Sequence, residues 1–160
     1  MRINLYGRHP SIADARPTDC DLAININDTP HPCDWMCFGD LAILAFLDTG
    51  LWPRRHAVGL IGPASFEHVH PCPSMGLYRT WQSLAAPVKT RKSGIMAFVA
   101  AIRFGATSIH TWGIRMHGER DVDGTPSMHA GHTAEQRWNR EQRQWDGVLA
   151  TIPHIPVVMH

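Results

Sequence analysis

The chain has 160 residues and a formal net charge of +1, with 44% hydrophobic and 18% charged residues. This length provides enough apolar surface for one domain built around one core. The ordinary apolar content excludes a disordered chain, and the small net charge gives no general reason to expect binding to nucleic acids or membranes. We therefore expect a single globular domain over residues 1–160.

Four cysteines occur in a sequence that begins with strand character rather than with the apolar stretch of a secretory signal. No apolar run approaches the length needed to cross a bilayer. We therefore expect a cytoplasmic protein with free thiols, because disulfides are rare in the reducing cytosol. The six tryptophans and twelve prolines permit a homo-oligomer with sites near subunit contacts.

Apolar runs closed by glycine, asparagine or aspartate predict strands that alternate with helices. The predicted strands are residues 3–7, 21–27, 34–40, 57–62, 108–114 and 156–159. The predicted helices are residues 41–47, 77–85 within the irregular stretch 63–91, 93–104 and 133–151. This alternation is typical of an α/β class, a single Rossmann-like domain with a mostly parallel sheet flanked by helices.

The most informative segment begins at Lys92 and runs through a nearly all-apolar stretch to Gly105 and a following strand. A helix this apolar must be covered on most sides. The strand that follows after a short turn is most easily parallel to its neighbour. Backbone N–H groups at Ser93 and Gly94 lie where a helix start can hold an anion. The segment therefore points to a nucleotide-type ligand.

Polar residues and glycines follow several predicted strands, and ligands of doubly wound sheets lie outside the carboxyl ends of the strands. Glycine lets a ligand approach the backbone closely, and asparagine or aspartate can read a ribose or a base edge. Such residues also populate ordinary loops, and that simpler explanation remains open. The candidates for the nucleotide site are Gly7, Pro10, Ser11, Asn25, Asn27, Asp40, Ser93 and Gly94.

A family resemblance follows from the order of these motifs. Gly-x-x-Pro-Ser follows strand one, asparagine closes strand two, and Ser-Gly opens an apolar helix that precedes a strand ending in glycine. This order resembles the bacterial CMP-sialic-acid-dependent sialyltransferases and the related fold of pterin pyrophosphokinase-like proteins. The resemblance implies that Gly7, Pro10, Ser11, Ser93 and Gly94 hold the phosphate and ribose. It also implies that the asparagine after strand two contacts the nucleotide. This role falls on Asn25, with Asn27 as a second candidate.

Two further residues are assigned chemical roles, His132 by the resemblance and Arg115 by a departure from the family's pattern. His132 stands in a Gly-His-Thr setting similar to that of the family's general base, and a neutral histidine suits this role because its pKa lies near the working pH. The alternative is that His132 or Thr133 only caps the following helix. Arg115 stands where the family carries an acid, and its guanidinium can grip a phosphate or a carboxylate.

Three functions fit these residues. The first is a glycosyltransferase-like transferase with a nucleotide-sugar donor. The second is magnesium-dependent pyrophosphoryl transfer to a pterin-like alcohol, for which the candidate metal-binding carboxylates are Asp28, Asp40, Asp121 and Asp123. The third is a non-catalytic protein that binds or sequesters a nucleotide. The histidines and cysteines around Cys33 and Cys72 are residue types that bind zinc. They contain no Cys-x-x-Cys pair, so we assign no metal to them.

Overall fold

The computed structural model of the chain describes residues 1–15, 20–27, 29, 31–39, 59–66, 77–80, 92–114, 133–151 and 154–160. Within these residues seven strands form one sheet. They are β1 (Arg2–Tyr6), β2 (Leu22–Ile26), β3 (Trp35–Cys37), β4 (Gly59–Gly62), β5 (Leu77–Thr80), β6 (Ser108–Trp112) and β7 (Val157–Met159). The helices are α1 (Ser93–Arg103) and α2 (Ala134–Thr151), with short 3-10 turns at Pro10–Asp14 and Ala64–Phe66.

The strands lie in the order β5-β4-β3-β2-β1-β6-β7, and every neighbouring pair is parallel. The chain proceeds outward from β1 to β5 and then returns to the other side of β1 with β6. This reversal is the topological switch point beside which doubly wound sheets bind their ligands. The expected Rossmann-like α/β fold with a parallel sheet is confirmed.

One predicted element is wrong. Residues 77–80 form the strand β5 rather than the start of a helix, with Leu77 beside Gly59 and Thr80 beside Gly62. The open edge of β4 supplies a row of backbone partners, and such partners outweigh the local propensity of a four-residue stretch. All six predicted strands are confirmed in the described residues, with bounds that differ by one to three residues where both ends are described, and the predicted helix at 41–47 lies outside those residues.

The main core lies between the sheet and the two helices. In α1 all residues from Ile95 to Ala101 are buried, as the apolar sequence predicts. Phe98 of α1 meets the indole of Trp145 on α2 edge to face, with ring centroids 4.8 Å apart. The end of α1 lies at the amino end of the sheet, because Phe104 packs against Trp35 at the start of β3. Within the described ranges, no helix combines the length and apolarity that crossing a membrane requires.

A smaller cluster covers the opposite face of the sheet. Tyr6, Ile12, Ala23 and Cys33 form it, with Ile12 supplied by the 3-10 turn that follows β1. Burial raises the pKa of the Cys33 thiol to about 12, so this cysteine stays protonated at neutral pH. Cys33 is free of disulfide bonding. The sheet is therefore packed on both faces, which is the usual condition of a parallel sheet.

Strands β1 and β6 approach each other closely at their carboxyl ends, and glycine occupies both positions. The backbone N–H of Gly7 donates to the carbonyl of Trp112 at 2.8 Å. Gly113 has a φ of +63°, and a Cβ there would lie 2.7 Å from the carbonyl oxygen of Gly7 and 2.9 Å from Cβ of Ile12. A side chain at position 113 would therefore force the two strand ends apart.

We expect Gly113→Ala to destabilise the chain more than Gly105→Ala. Both glycines have positive φ, which costs alanine roughly 1–2 kcal/mol, but a Cβ on Gly105 meets nothing within 4 Å. Only position 113 adds a backbone clash. Urea unfolding of the two variants measures the difference, and equal losses in the free energy of unfolding would show that the close contact is absent.

Candidate functional site

The start of α1 lies at the carboxyl end of β2. The Ser93 hydroxyl donates a hydrogen bond to Oδ1 of Asn27 at 2.9 Å. Asn27 directly follows β2 and has a φ of +54°, a conformation that asparagine tolerates better than most residues. A Cβ built on Gly94 would lie 3.7 Å from Cδ1 of Ile26, which is ordinary contact. The structure thus brings three of the predicted site residues together: Asn27, Ser93 and Gly94.

The first turn of α1 carries the positive end of the helix dipole, and the turn itself contains no acidic residue. Its N-cap residue is Lys92, which makes no side-chain capping bond. The first intrahelical bond of this end runs from the N–H of Met96 to the carbonyl of Lys92. The preceding N–H groups of a helix have no intrahelical acceptor and can bind an anion.

The side chain of Lys92 reaches toward α2. Its Nζ lies 2.8 Å from Oε1 of Glu141, and Nε of Arg137 lies 3.2 Å from the same oxygen. The guanidinium of Arg137 also lies 4.3 Å from the centroid of the Trp138 ring. The cation at the start of α1 is therefore held by a carboxylate from the neighbouring helix.

The loop after β1 packs on the face of the sheet opposite α1. Pro10 opens the 3-10 turn whose Ile12 joins the smaller cluster. The backbone N–H of Ser11 donates to Nδ1 of His9 at 3.2 Å, and the Ser11 hydroxyl lies 3.0 Å from the same nitrogen. Ser11, which the resemblance assigns to the phosphate and ribose, thus has its N–H bonded within the turn. Gly7 is buried between the ends of β1 and β6.

Asn25 holds the segment that follows β2. Strand alternation places it on the same face as Ala23, away from α1. Its amide nitrogen donates to the carbonyls of Thr29 at 2.8 Å and His31 at 2.5 Å. The side-chain oxygen is buried and has no hydrogen-bond partner among the described residues, in a residue only 1% exposed. A buried acceptor without a partner costs roughly 1–3 kcal/mol and requires an explanation.

Two contacts that sequence reasoning missed support this segment. The Thr29 hydroxyl is buried and lies 2.7 Å from the carbonyl of Ile26. The His31 ring stacks on Tyr6, with centroids 3.8 Å apart and an interplanar angle of 17°. No local signal in the sequence marks either residue, because each depends on how the chain turns back over β1 and β2.

A second ring stack lies at the neighbouring edge of the sheet. His160 stacks on Trp112 with centroids 3.8 Å apart, and its Nε2 lies 3.1 Å from Nδ1 of His110. Burial, together with the nearby Arg2 guanidinium and His160, lowers the pKa of His110. His110 is therefore neutral at physiological pH, which allows the contact between the two imidazoles.

Three predicted site residues, Asp40, Arg115 and His132, lie outside the described residues, as do Asp28, Asp121 and Asp123. Thr133 precedes α2 and caps it, because its hydroxyl accepts from the N–H of Gln136 at 3.2 Å and its own N–H donates back to Gln136 at 3.1 Å. The role of His132 stays a prediction. Among the described residues no group of three His, Cys, Asp or Glu side chains is placed to hold a metal.

Comparison with known proteins identifies the fold. No protein-family model matches the chain, and no curated protein matches it. The chain is similar to the solved structure of the sialyltransferase CST-II in complex with a trisaccharide acceptor and CMP, with a TM-score of 0.57 and 10% sequence identity. The match covers 99% of this chain and 81% of that one. The resemblance expected from the motifs is thus confirmed at the level of the fold, which is Rossmann-like in both proteins.

We expect the Asn27–Ser93 hydrogen bond to contribute about 1 kcal/mol to stability. Asn27→Gly removes the acceptor without backbone strain, because glycine adopts positive φ freely. Ser93→Ala removes the donor. A double-mutant cycle by urea unfolding cancels the effect of glycine on the unfolded chain. Strictly additive losses in the two single variants and the double variant would contradict the contact.

Proposed function

We propose that this chain binds a nucleotide or nucleotide-sugar at the carboxyl edge of its sheet and acts as a glycosyltransferase-like group transferase. The observation that carries the proposal is the hydrogen bond from Ser93 to Asn27, because it sets the uncapped start of α1 against the end of β2. The similarity of the fold to a sialyltransferase crystallised with CMP supports the same class of ligand.

The phosphate of the ligand binds at the first turn of α1 in this proposal. The N–H groups of Ser93 and Gly94 point out of the helix start, where the dipole favours negative charge. Gly94 supports this placement. A Cβ at this position would meet only ordinary contact among the residues that the structure describes, so their packing does not explain the glycine. The absence of a side chain does leave the backbone open to a ligand.

The nucleoside lies on the strand ends beside the phosphate. The unpartnered oxygen of Asn25 can accept a hydrogen bond from a hydroxyl or amino group of the nucleoside. Because this oxygen is buried, a ligand reaches it only when the segment around Thr29 shifts. Pro10 and Ser11, with Gly7 behind them, border the opposite side, and Asp40 orients the sugar or the base.

The chemical step is displacement at the sugar carbon that bears the phosphate. His132 accepts the proton of an acceptor hydroxyl as the acceptor oxygen forms its bond to that carbon. The bond from the carbon to the phosphate oxygen breaks, and the phosphate leaves with the electron pair. Arg115 stabilises the charge that develops on the leaving phosphate. This scheme requires no metal, unlike pyrophosphoryl transfer.

A thermal-shift panel of CMP, UMP, AMP, GMP and their sugar conjugates tests binding. A specific ligand at a hundredfold excess over its Kd raises stability by about 2.7 kcal/mol. His132→Ala should keep this shift and lose turnover, while His129→Ala, the matched control, keeps both. The transferase proposal fails if His132→Ala retains turnover. Binding without turnover in the unaltered chain would indicate a non-catalytic binder, and a magnesium requirement would indicate pyrophosphoryl transfer.

Gly94→Ala separates binding from stability. Alanine should raise the free energy of unfolding by roughly 0.5–1 kcal/mol, because glycine is a poor helix former and the added Cβ meets no clash. It should at the same time weaken binding of the nucleotide by crowding the N–H groups. The matched control is Gly147→Ala on α2, where a Cβ meets nothing within 4 Å.

Urea unfolding and titration with the ligand measure both variants. Gly147→Ala should gain stability with unchanged affinity. If Gly94→Ala and Gly147→Ala bind the nucleotide equally well, the phosphate does not lie on the start of α1.

A further inference from the structure

The segment after β2 forms a tight turn over the carboxyl ends of β1 and β2. The buried hydroxyl of Thr29 lies 2.7 Å from the carbonyl oxygen of Ile26, at the end of β2, and 3.1 Å from that of Tyr6, at the end of β1. Inside the turn, the backbone N–H of His31 donates to the carbonyl of Thr29 at 2.8 Å. The turn is thus fixed beside the topological switch point, because β1 is one of the two strands between which the strand order reverses.

Two buried polar side chains are committed to holding this turn. Asn25 and Thr29 are 1% and 0% exposed, and the amide nitrogen of Asn25 donates to the carbonyls of both Thr29 and His31. That orientation leaves the amide oxygen of Asn25 buried without a partner among the described residues. A buried acceptor without a partner destabilises a fold, and proteins accept such costs mainly at functional sites. The arrangement therefore indicates that the residue presented by the turn has a use.

The turn presents the ring of His31 in a fixed orientation. The ring stacks on Tyr6 with centroids 3.8 Å apart and an interplanar angle of 17°, which sets its plane. Its Nδ1 lies 3.2 Å from the carbonyl oxygen of Pro32, and since a carbonyl only accepts, this nitrogen donates and fixes the rotation of the ring. Among the described residues Tyr6 is the one aromatic ring in contact with His31, whose side chain is half-buried. Because Tyr6 covers the inner face, the exposed part of the ring belongs to its outer face and edge.

We propose that the outer face of His31 is the stacking platform for the base of the nucleotide, so that the base extends the stack of Tyr6 and His31 by one ring. This inference rests on the proposed function, and it requires only that the ligand lies at the carboxyl edge of the sheet; the place of the phosphate does not enter it. A ring that is already held in position loses little conformational freedom when a base binds. Every base has a flat π-face, so the platform binds a base without selecting among bases.

Titration calorimetry with CMP and with ribose 5-phosphate tests the platform on the full chain. His31→Gln keeps a polar side chain but removes the ring, so it should bind CMP at least about fivefold more weakly, the lower end of base–aromatic stacking. His31→Phe keeps a flat ring on Tyr6 and should bind CMP as tightly as the unaltered chain. Ribose 5-phosphate has no base, so neither substitution should change its binding. His154→Gln, at an exposed histidine, is the matched control and should leave both ligands unaffected.

Three results would overturn the platform and leave the nucleotide proposal standing. The first is CMP binding by His31→Gln as tight as that of the unaltered chain, which would place the base elsewhere. The second is an equal loss in His31→Phe and His31→Gln while urea unfolding of both remains cooperative, because the ligand would then need an imidazole nitrogen rather than a flat ring. The third is an equal loss for CMP and ribose 5-phosphate in His31→Gln, which would be a general effect on the site. If the unaltered chain does not bind CMP, the nucleotide proposal itself falls, and this inference falls with it.

Discussion

The burial of α1 is the constraint on which the rest of the structure depends. The apolar run from Ile95 to Ala101 is buried, and each large apolar side chain in such a helix contributes roughly 1.5–3 kcal/mol when it is removed from water. The sheet covers one side of the helix, and Trp145 of α2 packs against Phe98. Because the helix must lie in this position, its first turn is brought to the carboxyl edge of the sheet.

Both ends of α1 are closed by specific contacts. At the carboxyl end of α1, the N–H of Gly105 donates to the carbonyl of Ile102, and the N–H of Ala106 donates to the carbonyl of Ala101. This arrangement terminates many helices. At the start, the contacts are of a different kind. Ser93 bonds outward to Asn27, and no side chain in the described residues caps the turn. The contacts at the carboxyl end belong to the fold, and the N–H groups at the start are those to which we assign the phosphate of the proposed ligand.

The sequence predicted the fold because its main signals are local. Apolar runs and glycines mark six of the seven strands in the described part of the chain and the buried helix, and alternation with helices predicts a parallel sheet. The strand at Leu77–Thr80 was not predicted, because its structure depends on backbone pairing with β4 rather than on its own sequence pattern. Four residues on an irregular stretch carry too little periodicity to decide between helix and strand.

The site was predictable in its residue types and much less in its contacts. Motifs in the sequence mark both Asn27 and Ser93, but their hydrogen bond joins parts of the chain that only the fold brings together. Strand alternation places the side chain of Asn25 on the face of the sheet opposite to that of Ile24 and Ile26. The sequence therefore also indicates that Asn25 points away from α1. It does not indicate the ion pair between Lys92 and Glu141, because each residue alone has the pattern of a solvated charge.

The position of the phosphate tests the central claim most directly. A crystal structure of the complex with CMP should place a phosphate oxygen about 3 Å from the backbone nitrogens of Ser93 and Gly94. The same structure should retain the contact between Ser93 and Asn27. A complex with the nucleotide bound elsewhere on the chain, and solvent at the start of α1, would contradict the account.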